Sequence, residues 1–269
     1  FYLPFLILLI LGMILQTTSQ LDTAPKKIVS LVPSQTELLY HLGLSKETIG
    51  ITKFCIHPKI WHKTKTRVGG TKNINIDSIR KLQPNLIIAN KEENVREQIE
   101  EIAKEYPVWV TDVNNLAEAL QMIGDIGQLT GKSEKALALL NGIKMNFAAI
   151  RPVTDEIRAA YLIWQKPYMA VGGGTFIDDM LTKCGLKNIY AHKTRYPQIS
   201  LAQLQTHSCQ LLLLSTEPFP FTQKHVDELS IQLPGIRIVL ADGEMFSWYG
   251  SRMLKAPGYF KNLIKKLQV

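Results

Sequence analysis

Cysteine is scarce in this chain: Cys55, Cys184 and Cys209 are widely spaced, odd in number and without a C-x-x-C pair. That excludes a disulfide-built scaffold and a four-cysteine zinc site. In an oxidising compartment Cys184 and Cys209 are the pair available within one half of the chain, leaving Cys55 alone, but spacing does not fix the connectivity. No G-x-S-x-G or G-x-G-x-x-G motif occurs, and the glycine turn at 172–175 carries no Gly-Lys-Ser/Thr, so neither a nucleophile elbow nor a nucleotide loop is read there. A dense basic block is missing too. The 31 Lys and Arg against 23 Asp and Glu give a net charge of +8, yet the lysines are scattered as solvated faces are, and no nucleic-acid surface is read. With 46% hydrophobic residues the chain is too apolar for disorder and long enough for one large domain or two ordinary lobes.

The one long apolar run is at the front. Residues 1–15 are broken only by Pro4 and Gly12 before Gln16-Thr17-Thr18-Ser19-Gln20 turns polar. As a helix of about 1.5 Å per residue the run reaches about 23 Å, short of a bilayer core of about 30 Å. Residues 1–20 therefore read as a secretory signal whose start lies upstream, with an uncleaved membrane anchor as the alternative. Export to the periplasm is the expectation.

Beyond the linker at residues 22–25, the chain alternates. Lys27 to Val32 is a β-branched apolar run, followed by Pro33-Ser34-Gln35-Thr36-Glu37 and a helical stretch ending at Gly43. Ser34 with Glu37 reads as a capping box, and Gly43 as a helix terminator. A short helix capped by Asn75 and stopped before Pro84 precedes the strand Leu86 to Ala89. A helix over 93–106, a strand over 108–110 and a helix over 116–129 follow. Strands alternating with helices predict an α/β protein with parallel sheets covered on both faces.

An internal repeat sharpens this. Ile74-Asn75-Ile76-Asp77 with its strand Leu86 to Asn90 aligns, at one constant offset, with Ile199-Ser200-Leu201-Ala202 and the strand Leu211 to Ser215. Two lobes of the same plan follow, at 25–130 and 152–269. Between them 131–151 reads as one long linking helix, which would restrict lobe motion more than a loop does.

In such sheets ligands gather beyond the carboxyl ends of the strands. The loops placed there carry Phe54, Trp164, Tyr168, Tyr196, Phe246, Trp248 and Tyr249, a set suited to a large, flat, partly apolar ligand in a cleft between the lobes. Single rings among them can equally plug lobe edges. Gly172-Gly173-Gly174-Thr175 opens a helix and reads as a tight turn more readily than as an anion cradle. Cys55, His57 and His62 form the one metal-like constellation, without a fourth ligand, and would belong to a metal-dependent enzyme as a rival reading. Catalysis has no positive motif.

Taken in order, Lys27-Ile-Val-Ser-Leu-Val-Pro-Ser-Gln-Thr-Glu37, Gly50-Ile-Thr-Lys-Phe-Cys-Ile-His-Pro58, Val68-Gly-Gly-Thr-Lys-Asn-Ile-Asn-Ile-Asp77, Leu82-Gln-Pro-Asn-Leu-Ile-Ile88, Gly173-Gly-Thr-Phe-Ile-Asp-Asp-Met-Leu181 and Tyr196-Pro-Gln-Ile-Ser200 resemble the periplasmic substrate-binding proteins of cobalamin and iron-siderophore ABC importers. The resemblance covers about 25–267 and is strongest to the cobalamin-binding members. It implies two α/β lobes joined by a single long helix and delivery of a captured ligand to a membrane ABC permease, with no reaction on it and no cofactor of its own. By position, Phe54 matches an aromatic that flanks the corrin ring, Tyr196 falls on a ligand-stacking Trp, and Trp164 and Tyr168 lie on the facing loop.

Two departures stand out. Thr71 replaces a ring-contacting Trp. The acid with which each lobe docks on the transporter corresponds to Asp77 in the first lobe and to Ala202 in the second. Asp77 can also serve the helix dipole alone, and Asp178, Asp179, Asp227 or Glu228 are the neighbours that could stand in for the missing acid. Arg252 could pair with an anionic group of a siderophore or tetrapyrrole, or hold its own lobe together. Trp248 and Tyr249 favour a planar macrocycle. The expectation is therefore a monomeric binding protein for a corrinoid, ahead of an iron chelate, with haem third.

Overall fold

The computed structural model describes residues 13–150 and 156–267. The front of the signal-like segment, 1–12, lies outside the described residues, as does the junction 151–155 at the end of the expected linking helix.

The chain divides into two compact units. The first holds the described chain up to Asp112 together with Leu120–Asn141, and the second holds Val113–Ala119 together with everything from Gly142 onward. In the first unit the elements run β1 (Ile14–Leu15), β2 (Ile28–Ser30), α1 (Pro33–His41), β3 (Thr48–Ile51), α2 (Lys59–Thr64), β4 (Thr66–Arg67), α3 (Ile76–Leu82), β5 (Leu86–Asn90), α4 (Arg96–Ala103) and β6 (Val108–Thr111). The strands pair, all parallel, in the order β1-β6-β5-β2-β3-β4. The last residues of the apolar front run thus sit on this sheet, Ile14 opposite Val108 and Leu15 opposite Trp109.

Every residue of β5 is buried. One face packs Val29, Ile87, Ala89 and Val108 against Ile79 of α3 and Ile99 and Ile102 of α4, while Ile28, Leu86 and Ile88 on the other face have no exposed surface. A strand buried on both sides needs a continuous apolar run, which is why Leu-Ile-Ile-Ala reads as it does.

Two helices carry the chain across the unit boundary. Helix α5 (Leu116–Leu129) starts in the second unit, where its first amide donates to Asp179 Oδ2 at 2.7 Å, and continues in the first. Helix α6 (Ser133–Ala148) runs from the first into the second.

The second unit contains β7 (Ile157–Trp164), β8 (Met169–Ala170), α7 (Phe176–Lys183), β9 (Leu186–Asn188), α8 (Leu201–Thr206), β10 (Leu211–Ser215), α9 (Gln223–Gln232), β11 (Arg237–Ala241), α10 (Gly243–Ser247) and α11 (Ala256–Leu267). Its sheet runs β11-β10-β7-β8, with β9 beside the first half of β7. It departs from the all-parallel expectation in one place: β8 returns antiparallel to β7 after the turn at Lys166, whose φ is +64°. Its core sets Leu162, Leu212 and Leu214 against Leu204 of α8 and Val226 and Leu229 of α9.

The repeat is present in detail. Helices α3 and α8 each give way to a left-handed residue, Gln83 and Ser208, and then to a fully buried strand. Asn75 caps α3 through its side chain, which accepts from the Ser78 amide at 2.9 Å. In α8 the Gln203 side chain accepts from the Ser200 amide at 2.8 Å. Ser34 does not cap α1, contrary to the expected capping box. The helix begins two residues earlier, with Val32 at the cap and Pro33 in its first turn, because proline's fixed φ and missing N–H suit that position.

Candidate functional site

In the first unit the loop after β3 carries Thr52-Lys53-Phe54-Cys55. The Lys53 amide donates to the Gly69 carbonyl at 2.8 Å, and the Cys55 amide to Thr52 O at 3.1 Å, which pins the loop at both ends. Cys55 is buried, while Lys53 and Phe54 form the middle of the turn that the Cys55 amide closes on Thr52 O and both face outward, Phe54 with 51% of its surface exposed. The Lys53 ammonium stands 5.1 Å from the centre of the Phe54 ring. Gly70 lies beneath: a Cβ there would come within 3.2 Å of Phe54 Cε2 and 3.4 Å of Lys53 Cε.

The floor of this region is polar and interlocked. Gln35 is fully buried and donates to Thr111 Oγ1 at 2.6 Å. Asn94 donates to the Thr71 carbonyl at 3.1 Å, and Thr71 itself is buried, so the residue standing where the resemblance expects a Trp is a structural one.

Cys55 accepts a hydrogen bond from the Thr36 hydroxyl and shares one with Thr52, and burial pushes its thiol pKa up. A raised pKa disfavours the thiolate that metal binding requires. Among the described residues no three His, Cys, Asp or Glu side chains converge on a metal position. All three cysteines are free and buried, so Cys184 and Cys209 do not form a disulfide. Burial raises the thiol of Cys184 to about 12 and that of Cys209 to about 11.

Asp77 occupies the first turn of α3, with its side chain 82% exposed. Arg80, one turn on, reaches it at 3.2 Å and reaches Glu105 at 2.6 Å. The guanidinium holds the Glu105 carboxyl below its usual range. Asp77 and Arg80 line an open groove of about 630 Å³ together with Asn73, Asn75 and Glu101. At the equivalent position of α8, Ala202 is exposed and brings no charge.

In the second unit Trp164 ends β7 with 41% of its surface exposed, its edge against Phe219 at 5.7 Å between ring centres. Tyr168 and Tyr196 are half-buried, and their loops run side by side, Ile199 N–H to Tyr168 O at 3.0 Å and Ala170 N–H to Pro197 O at 3.0 Å. The Gly172-Gly173 amides donate to the carbonyls of Arg195 and Lys193. At Gly173 a Cβ would lie 2.2 Å from the Ala191 carbonyl oxygen. These glycines admit a close-packed backbone, and their amides are engaged within the chain.

The remaining aromatics face inward. Phe246 is fully buried against Tyr161 and Phe260, so it is a core residue and not a wall of an open site. Trp248 is 7% exposed and donates from Nε1 to Glu217 Oε1 at 2.8 Å, and Tyr249 packs edge-on to Phe176. Arg252, 9% exposed, forms an ion pair with Glu244 while its guanidinium carbon lies 4.9 Å from the Trp248 ring centre. Of the ligand-contacting residues singled out from sequence, the structure leaves Phe54 and Trp164 most open, Tyr168 and Tyr196 partly so, and Trp248, Tyr249 and Arg252 largely covered. Sequence reading missed Lys53, Glu217 and Glu244. Lys53 had a signal in its adjacency to Phe54, whereas the two glutamates lie too far along the chain from Trp248 and Arg252 for spacing to reveal them.

No helix among the described residues is long and apolar enough to cross a membrane. Among curated proteins the chain is 24% identical over 196 residues to the vitamin B12-binding protein of Vibrio parahaemolyticus, covering 71% of this chain and 70% of that protein. It is 29% identical over 188 residues to an uncharacterised ABC transporter substrate-binding lipoprotein of Bacillus subtilis, covering 65% and 59%. Among solved structures the periplasmic heme-binding protein of Roseiflexus sp. RS-1 superposes with a TM-score of 0.78 at 21% identity over 90% of this chain and 98% of that one. The periplasmic vitamin B12-binding protein of Vibrio cholerae does so with 0.73 at 20% identity over 91% and 98%. These likenesses establish the two-lobed α/β fold. The family model for periplasmic binding proteins matches residues 28–230, and with that match across most of the chain the protein belongs to the periplasmic binding protein family.

Proposed function

We propose that this protein captures a planar metal chelate, a corrinoid in the first place, and delivers it to the membrane permease of an ABC importer. The observation that carries the reading is the exposure of large rings, Phe54 and Trp164, at strand ends of the two repeats, where nothing in the fold requires an aromatic to face water. Relatives whose names specify vitamin B12 or heme support a flat macrocycle as the ligand class. In this reading Phe54, Trp164, Tyr168 and Tyr196 offer stacking surface. Trp248, Tyr249 and Arg252 hold the second unit together in this reading, since each already has an internal partner. Asp77 is the docking acid of the first unit, and Ala202 leaves the second without its counterpart. Capture outside the cytoplasmic membrane, as a monomer and without chemical change to the ligand, completes the proposal.

Co-elution on size-exclusion chromatography tests it, with cyanocobalamin, haemin and a ferric siderophore as separate probes. Retention of cyanocobalamin at one equivalent supports the corrinoid. Retention of haemin or the siderophore alone keeps capture and replaces the ligand. Retention of none refutes the proposal.

A further inference from the structure

We infer that Lys53, capping the ring of Phe54, selects for a planar ligand that carries an anionic group at its edge; this rests on the macrocycle-capture reading above. Three observations carry it. The Lys53 ammonium sits over a ring that is half open to solvent, 5.1 Å from its centre. Gly70 under both side chains leaves the space that lets them lie together, since even a methyl group there would press on Phe54 Cε2 at 3.2 Å and Lys53 Cε at 3.4 Å. Among the described residues no carboxylate pairs with Lys53, whereas the nearby Lys72 donates to the Glu92 carbonyl and Lys91 pairs with Asp112 at 2.7 Å.

The consequence is chemical. A ligand that stacks on Phe54 displaces the ammonium from the ring face, and a displaced cation with no acid of its own needs a new partner. A phosphodiester or carboxylate at the rim of the macrocycle supplies one through a charge-assisted hydrogen bond. A neutral ligand offers nothing in exchange and is disfavoured. Lys53 thus discriminates among flat ligands that Phe54 alone would accept equally.

Two sources of that anion are distinguishable with defined probes. Cyanocobalamin carries a phosphodiester that dicyanocobinamide lacks, and haemin carries propionates that its dimethyl ester lacks. Each probe is titrated into the wild type, Lys53→Met and Lys53→Arg at low and high salt, with melting curves to verify folding. The expectation is that Lys53→Met weakens the anion-bearing member of the bound pair roughly tenfold at low salt, less at high salt, and does not weaken the anion-free member. Lys53→Arg should restore most of the loss. Equal effects on both members of a pair, or none on either, overturn the inference while leaving macrocycle capture intact. A wild type that binds no member of either pair overturns the capture reading and the inference with it.

Discussion

Replacing Arg252 with Met separates a structural role from a ligand-contacting one. Arg252 and Glu244 form an ion pair whose side chains are 9% and 18% exposed, and the guanidinium lies over the Trp248 ring. Removing one partner of such a pair takes a close counter-charge from the other in a low-dielectric setting, an effect of about 3–5 kcal/mol for full burial. Glu244 retains some solvent, so the expected loss is about 2–3 kcal/mol. The Met side chain covers much of the Trp248 face that the arginine stem covers, so the loss reports the charge more than the packing. For a domain of this size that corresponds to a fall in Tm of about 4–12 °C. Urea unfolding followed by tryptophan fluorescence measures it, and the double variant Glu244→Gln, Arg252→Met should recover more than half of the loss, because the carboxylate that loses the guanidinium is then neutral. An Arg252→Met protein that melts within 1 °C of the wild type yet binds every probe more weakly would refute the structural assignment and make Arg252 a ligand contact.

Phe54→Ala and Trp164→Ala should each weaken capture of the true ligand by about 1–3 kcal/mol, read by titration, with little change in Tm because both rings are exposed. Gly173→Ala places a methyl group on the Ala191 carbonyl oxygen, 2.2 Å from an unrelaxed Cβ, so thermal unfolding should show a loss of more than about 1 kcal/mol. A thiol reagent at pH 8 should label Cys55, Cys184 and Cys209 slowly in the native protein and fast once it is unfolded, as mass spectrometry after a timed pulse would record. The same thiols give an alkaline signature. Burial raises Cys184 from 9.0 to about 12 and Cys209 from 9.0 to about 11, so the folded state keeps protons that the unfolded chain releases. That stabilisation is whole below pH 9 and is lost as pH rises through 9 to 12, and Cys184→Ala should flatten the decline in a pH series of urea melts.

Much of the fold was legible because its signals are local and repeated. Asn75 caps α3 as its position foretold, the apolar strands after Gln83 and Ser208 match position for position, and Gly43 ends its helix with positive φ. What failed depended on competition or on distance. Ser34 yielded the helix start to Pro33 because a fixed φ outweighed a side-chain cap. The two-residue strand β8 has no periodicity to read, so the antiparallel return escaped notice. The candidate site was less legible for a related reason: an aromatic in a loop looks the same whether it faces solvent or core. Trp248 is covered because Glu217, 31 residues away, takes its indole N–H, and Phe246 because Tyr161 and Phe260 close over it. Phe54, by contrast, is open because it sits in the middle of the Thr52–Cys55 turn, where Lys53 and Phe54 both face outward.

Calorimetric titration of cyanocobalamin and haemin into the wild type and Phe54→Ala tests macrocycle capture most directly. The account predicts one-to-one binding of at least one probe by the wild type and at least a fivefold weaker affinity for it in the variant. Equal affinities in the two proteins, or no heat with either probe, would contradict it.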